Sequence, residues 1–217
     1  MKSVGLIATG ILALAALPGI LSAASTAQIP KAAAKSAPAD NAPCAACHGA
    51  KGEGSAAAHV PRIAGQSAEY LQKQLDDYAS GARDNAIMAN FAKPLSEEQR
   101  QEFAKRYAAM SAPFLAEAAP GQKQLARGHR LAYQGDENLR VQACNACHGP
   151  DGAGVLHAAP YLAGQSSEYI GTALKAFQSG SRKNDAGELM RSVAARLADA
   201  DIAAVAAYFA NEGPATH

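Results

Sequence analysis

Four cysteines in the 217-residue chain fall into two similar settings, Cys44-Ala-Ala-Cys47-His48 and Cys144-Asn-Ala-Cys147-His148. Two thiols separated by two residues can close a redox disulfide, and four cysteines in an exported chain can form a disulfide framework. Neither use explains a histidine directly after each pair. A zinc site built from both pairs would also leave the histidines without a role. A covalent haem accounts for every residue: the thiols bond the vinyl groups along one porphyrin edge, and the adjacent imidazole reaches the iron. The expectation is two covalently bound haem c groups, one on Cys44 and Cys47 and one on Cys144 and Cys147. His48 and His148 then face the irons, with disulfides or zinc as the competing chemistry.

The elements that must position these groups come in duplicate, and a repeat is sought before any single helix. Pro43-Cys-Ala-Ala-Cys-His-Gly49 returns as Ala143-Cys-Asn-Ala-Cys-His-Gly149, and Pro61-Arg-Ile-Ala-Gly-Gln-Ser67 as Pro160-Tyr-Leu-Ala-Gly-Gln-Ser166. Glu69-Tyr70, Leu75 and Gly81-Ala-Arg83 return as Glu168-Tyr169, Leu174 and Gly180-Ser-Arg182. After Asn85 and Asn184 the second copy is longer, and the frame resumes with Met88 opposite Met190. Histidine and methionine together fill the coordination sphere of a haem iron and raise its potential. Met88 and Met190 are the expected sixth ligands, because Met110 has no counterpart and Met1 leaves with the signal. An isolated methionine more often fills a gap in a core. Here the two are matched, and both are expected in non-helical segments.

Each repeat reads as a small helical domain. Alanine is abundant, β-branched residues are sparse and tryptophan is absent, which favours an all-α fold. Ser67 is an expected N-cap for a helix with Leu71, Leu75 and Tyr78 on one face, closed by Gly81. Ser166, Ile170, Leu174, Phe177 and Gly180 repeat it. Ser96 and Gln99 stand at capping-box spacing before a helix that buries Phe103 and Tyr107. A helix over Lys123 to Tyr133 carries Gly128, which would let the last helix cross closely at Tyr208 and Phe209. The first repeat has Pro38 and Pro43 in the corresponding stretch, no such glycine, and Arg106 where Tyr208 stands, so its helix crossing is expected to be weakened or absent and the first domain looser.

Groups around the ligands are read in the same frame. A ligating histidine donates its second ring N–H to an acceptor, and the carbonyls of Pro61 and Pro160 lie at suitable spacing. Arg83 and Arg182 match the geometry of haem propionates; the competing use is solvation of a helix end. His59 and His157 do not align and are expected at the surface.

Lys2, the apolar run from Val4 to Leu21 and the small residues after it read as an export signal over 1–24, cleaved after Ala24 or Ala27. An uncleaved anchor is the alternative. Residues 25–42 read as a spacer, 43–112 as the first domain, 113–121 as a linker and 122–217 as the second domain. With 20 basic and 19 acidic residues, evenly divided between the halves, nucleic acid is not an expected partner.

The paired Cys-x-x-Cys-His-Gly and Pro-x-[Ile/Leu]-Ala-Gly-Gln segments, each followed by Gly-x-Arg and a methionine, resemble the di-haem cytochrome c4 family over nearly the whole mature chain. The resemblance implies two tandem class I cytochrome c domains with pseudo-twofold packing, axial pairs His48–Met88 and His148–Met190, and a periplasmic role passing electrons toward a terminal oxidase. A soluble, monomeric electron carrier with transient redox partners and at most peripheral membrane association is the leading expectation. With both axial positions filled, no catalytic residue is expected. The second reading is the haem subunit of a dehydrogenase complex, for example a flavin-dependent sulfide dehydrogenase; a di-haem peroxidase would need an open iron position.

Overall fold

Helices form where apolar spacing, capping side chains and left-handed glycines agree, and they recur in one order in both repeats. The computed structural model describes residues 42–114, 116–118, 120–155 and 159–213. The expected signal, almost all of the spacer and His157 lie outside the described residues. In the first repeat α1 (Ala42–His48), α2 (Ala68–Ser80), α3 (Ala86–Ala92) and α4 (Glu97–Ala108) succeed one another. The second contains α5 (Gln122–Tyr133), α6 (Asn145–His148), α7 (Ser167–Ser179), α8 (Leu189–Ala194) and α9 (Asp199–Asn211). Among the described residues there is no strand beyond isolated bridges, one of which joins Arg83 to Arg182 across the repeats.

The capping residues act as expected. Ser67 accepts from the Tyr70 amide and Ser166 from the Tyr169 amide, while Gly81 (φ 83°) and Gly180 (φ 74°) end α2 and α7 in the left-handed region. Ser96 and Gln99 form the full capping box that starts α4, and Phe103 and Tyr107 are buried on it. One expectation fails. Met88 and Met190 lie in helices, not in irregular segments. The reason is capping: the Asn85 side chain accepts from the Met88 amide at 2.9 Å and nucleates α3. In the longer second copy Asp185 instead accepts from the Arg191 amide at 3.0 Å.

The buried face of α2 also differs from expectation. Tyr78 is buried, but its companion is Gln74, with Leu71 and Leu75 only half-buried. That face meets the polar side chains Arg83, Arg182 and Asn184, so a glutamine serves it better than a leucine. On α7 the expected Ile170, Leu174 and Phe177 are all buried.

The apolar core is richest in the second repeat, where Leu131, Ile170, Leu174, Phe177, Ile202, Val205 and Phe209 form one cluster. Gly128 makes it possible. A Cβ there would sit 2.3 Å from the Ala204 carbonyl oxygen and 2.6 Å from Tyr208 Cβ, so α5 and α9 touch backbone to backbone. Phe209 points elsewhere: it covers Gly152, where a Cβ would lie 2.6 Å from its ring. Tyr107 covers Gly52 equivalently in the first repeat. An Arg127 ion pair with Asp136 and another with Asp201, both at 2.7 Å, pin α5 to the loop after it and to α9. The first-repeat counterpart of α5 falls outside the described residues.

The repeats meet in a buried, reciprocal seam. Gln66 exchanges hydrogen bonds with the Tyr161 backbone at 3.2 and 3.4 Å, and Gln165 with the Arg62 backbone at 3.0 and 2.9 Å. Side-chain amides thus satisfy the N–H and C=O of Arg62 and of Tyr161, which would be costly to bury unpaired. Arg62 and Tyr161, matched in sequence, then diverge. Arg62 donates to the Ala112 and Pro113 carbonyls at the start of the linker, and Tyr161 donates to the Ala64 carbonyl at 2.9 Å.

Candidate haem sites

Each cysteine pair lies on or beside a short helix that ends on its histidine, so one turn brings two thiols and an imidazole together. All four thiols are free. Cys44 and Cys144 are half-buried, Cys47 and Cys147 exposed. Burial pushes the Cys44 thiol up, and the Cys144 thiol up to about 11. A thioether carries no charge, so a wall that penalises a thiolate suits an attached porphyrin edge.

His48 and His148 are 7% and 8% exposed, inside otherwise open motifs. Their Nδ1 atoms lie 2.9 Å from the Pro61 carbonyl and 2.8 Å from the Pro160 carbonyl. A carbonyl only accepts, so each Nδ1 carries the proton and Nε2 keeps its lone pair. Burial lowers both imidazole pKa values, with the carbonyl bond opposing it, so the neutral form is favoured. The loop geometry is copied between repeats. The amides of Gly54 and Gly154 close on the carbonyls of His48 and His148 at 2.8 and 2.6 Å. The Gly52 and Gly152 carbonyls each hold two amides of the Pro-x-x-Ala segment, 63 and 64 or 162 and 163. Thus the Ile63-Ala64 and Leu162-Ala163 segments set the position of the proline carbonyl.

Met88 and Met190 are half-buried, and Met190 packs with Cys144 against the second-repeat core. The other expected contacts resolve differently. Arg83 and Arg182 are both only 9% exposed, so they do not solvate helix ends. Arg83 donates to Tyr169 Oη at 3.0 Å, and Arg182 to Tyr70 Oη at 3.2 Å, each reaching into the other repeat. Burial pushes the Tyr169 hydroxyl up, but the two guanidiniums more than reverse this and lower its pKa. His59 is exposed and lies 3.1 Å from Glu168 across the seam.

These residues fit two covalent haems. Each repeat offers two free thiols and one neutral, buried imidazole whose Nε2 keeps its lone pair, a donor set suited to a vinyl-bearing porphyrin and its iron. The seam also holds two buried guanidiniums whose hydrogen bonds go to neutral oxygens, a setting that favours a carboxylate-bearing ligand. Gln74 and the Arg–Tyr exchange are the functional-site features sequence reasoning missed. The one available signal was Gln74 standing where the second repeat has Ala173.

Comparison with known proteins agrees with this geometry. The cytochrome c family matches the chain twice, over residues 33–115 and 125–211. A thiosulfate dehydrogenase electron acceptor of Stutzerimonas stutzeri is 46% identical over 78% of this chain and 79% of its own length. Cytochrome c4 of Pseudomonas aeruginosa is 35% identical over 76% of this chain and 81% of its own. The crystal structure of reduced cytochrome c4 from Pseudomonas stutzeri superposes with a TM-score of 0.73 at 31% identity, covering 79% of this chain and 94% of that one. The chain belongs to the cytochrome c family and, within it, to the di-haem cytochrome c4-like proteins: an electron carrier with two covalently bound haem c groups, and not an enzyme.

Proposed function

We propose that this cytochrome works in the periplasm, where it takes electrons from a thiosulfate-oxidising dehydrogenase and passes them singly toward a terminal oxidase. The observation that carries the carrier role is the buried imidazole held by a proline carbonyl in both repeats. The donor is inferred from the 46% identity to a thiosulfate dehydrogenase electron acceptor. Joining two thiosulfate ions through a new S–S bond releases two electrons, which suits a carrier with two one-electron centres.

Each haem, when bound, supplies a reversible one-electron iron couple. The protein does the rest. Cys44 and Cys47, and Cys144 and Cys147, anchor the porphyrin edges. His48 and His148 would offer Nε2 to the iron, because Pro61 and Pro160 hold the opposite nitrogen. Met88 and Met190 would supply the sixth ligands, leaving no open position for substrate and restricting the group to electron transfer. Arg83 and Arg182 would be the residues to pair with haem propionates at the seam. Contact with partners is transient and the carrier is a monomer, as befits turnover at small redox interfaces. Export by the segment over 1–24 would carry the chain to the periplasm, where each cysteine must be kept reduced until its thiol adds across a haem vinyl group.

The test mixes oxidised protein with thiosulfate and a catalytic amount of thiosulfate dehydrogenase. Reduction of both haems, with one tetrathionate formed per protein molecule, is expected. A spectrum that stays oxidised while an artificial acceptor is reduced would remove the donor assignment.

A further inference from the structure

The two methionine segments are held by different parts of the molecule. In the first repeat Asn85 uses its side chain on the Met88 amide of its own helix. Its counterpart Asn184 does not cap. The Asn184 amide nitrogen instead donates to Gln74 Oε1 at 3.0 Å and to Asp77 Oδ2 at 2.6 Å, both on α2 of the other repeat. Lys73 of α2 donates to the Asn184 carbonyl at 2.9 Å, and Arg182 Nε fills Asn184 Oδ1 at 3.0 Å. Every polar group of Asn184 except its own N–H is therefore tied down, three of these bonds running to α2. The α7 residues matching Lys73, Gln74 and Asp77 are Thr172, Ala173 and Ala176, so the second repeat has no equivalent acceptor pair for Asn85.

The chain just beyond Asn184 needs such an anchor. Gly187 and Glu188 stand at φ 61° and 59°, two left-handed residues in succession immediately before Leu189-Met190. A side chain in that conformation is strained unless its surroundings over-determine it. Asp185, next to Asn184, grips the Arg191 amide and Nε at 3.0 and 2.9 Å, and Arg191 reaches Glu188 at 3.2 Å. Met190 thus sits in a strained arch whose downstream end is clamped within its own repeat and whose upstream end is fastened to the first.

We propose that Gln74 and Asp77 of the first repeat are positioning residues for Met190 of the second, so that axial ligation of the second haem depends on the seam while ligation of the first by Met88 does not. The inference rests on the assignment of Met88 and Met190 as ligands. Loss of the fastening lets the arch relax, lengthens the time Met190 spends off the iron and opens that position to an external base.

Imidazole titration of the oxidised holoprotein reads this directly. The Gln74→Ala/Asp77→Ala variant, which copies the residues of α7, should bind imidazole about tenfold more tightly at one haem and unchanged at the other. At saturating imidazole, which binds the oxidised iron, that tenfold gain lowers one of the two reduction steps by about 59 mV relative to the parent at the same imidazole concentration. Asp77→Asn keeps an oxygen for the Asn184 amide and should behave as the parent. Asn85→Ala should loosen the other haem, so combining it with the double variant should move both sites. Unchanged imidazole affinity in the double variant, equal changes at both haems, or an Asp77→Asn that behaves like the double variant would overturn the proposal while Met ligation stands. Absence of the Met-to-iron charge-transfer band in the parent would overturn the ligand assignment and this inference with it.

Discussion

The two repeats share a site and differ in what supports it. In both, a cysteine pair and a histidine close on a proline carbonyl at nearly the same distance, 2.9 and 2.8 Å. Around that constant, the second repeat packs a continuous apolar cluster under α5, α7 and α9. The first buries chiefly Tyr78, Phe103, Ala104 and Tyr107 among its described residues. The lesson is that haem attachment requires only a short segment of chain, whereas the stability of each domain is set by elements far from the motif. The covalent group must contribute more of the interior in the repeat with less core of its own.

Removing the thiols breaks the comparison most severely. Cys44→Ala with Cys47→Ala should cost the first repeat its haem and most of its helical signal. Cys144→Ala with Cys147→Ala should cost the second its haem yet leave the α5–α9 pair folded. Haem content per chain and far-ultraviolet circular dichroism check this, and equal helix loss in both variants would contradict it.

Next in size is Phe209→Ala. Phe209 is fully buried in the second-repeat cluster, and truncating a core phenylalanine costs about 3–5 kcal/mol. Denaturant unfolding should show the loss in the second repeat alone. Tyr107→Phe, its first-repeat counterpart, keeps the ring over Gly52 and should cost much less.

Gly128→Ala comes third. The added methyl meets backbone, not a flexible side-chain end, so α5 and α9 must separate at an expected cost of about 1–3 kcal/mol. In the parent, amides around Gly128 should exchange more slowly than those around Pro43; in the variant that difference should shrink. Equal protection in the parent would remove the proposed inequality of the two domains.

The smallest effect is electrostatic. Hydrogen bonds from Arg127 and the Leu139 amide hold the Asp136 carboxyl below its usual range. A carboxylate whose pKa is lowered by folding adds stability above its unfolded value, about 3.9, and that share is lost as pH falls through the folded value. Arg127→Met should therefore destabilise the second repeat at neutral pH, by a small amount because the pair is solvent-screened. The difference from the parent should shrink at a pH below that folded value, where Asp136 is protonated in both. Thermal unfolding at the two pH values measures it.

Much of this was legible in the sequence because the repeat tests each assignment twice. Ser67 and Ser166, Gly81 and Gly180, and the two proline carbonyls are all given by matched residue types at matched spacing. Gly128 was legible because a glycine inside a helix marks a close approach. The methionine segments were misread: the Asn85 side chain turns what looks like loop composition into a capped helix, and a cap depends on one χ angle that spacing does not reveal. The seam was invisible for another reason. Gln74, Arg83 and Arg182 are polar, and a pattern that equates polar with exposed places them outside; only the meeting of the two repeats buries them.

The central claim is a pair of irons, each covalently held and closed at both axial positions. A spectroelectrochemical titration of the purified holoprotein, repeated in the presence of carbon monoxide and of peroxide, tests it most directly. Two one-electron steps at positive potential, unmoved by either small molecule, are expected. A single step, or a shift of either step when the small molecule is added, would contradict it.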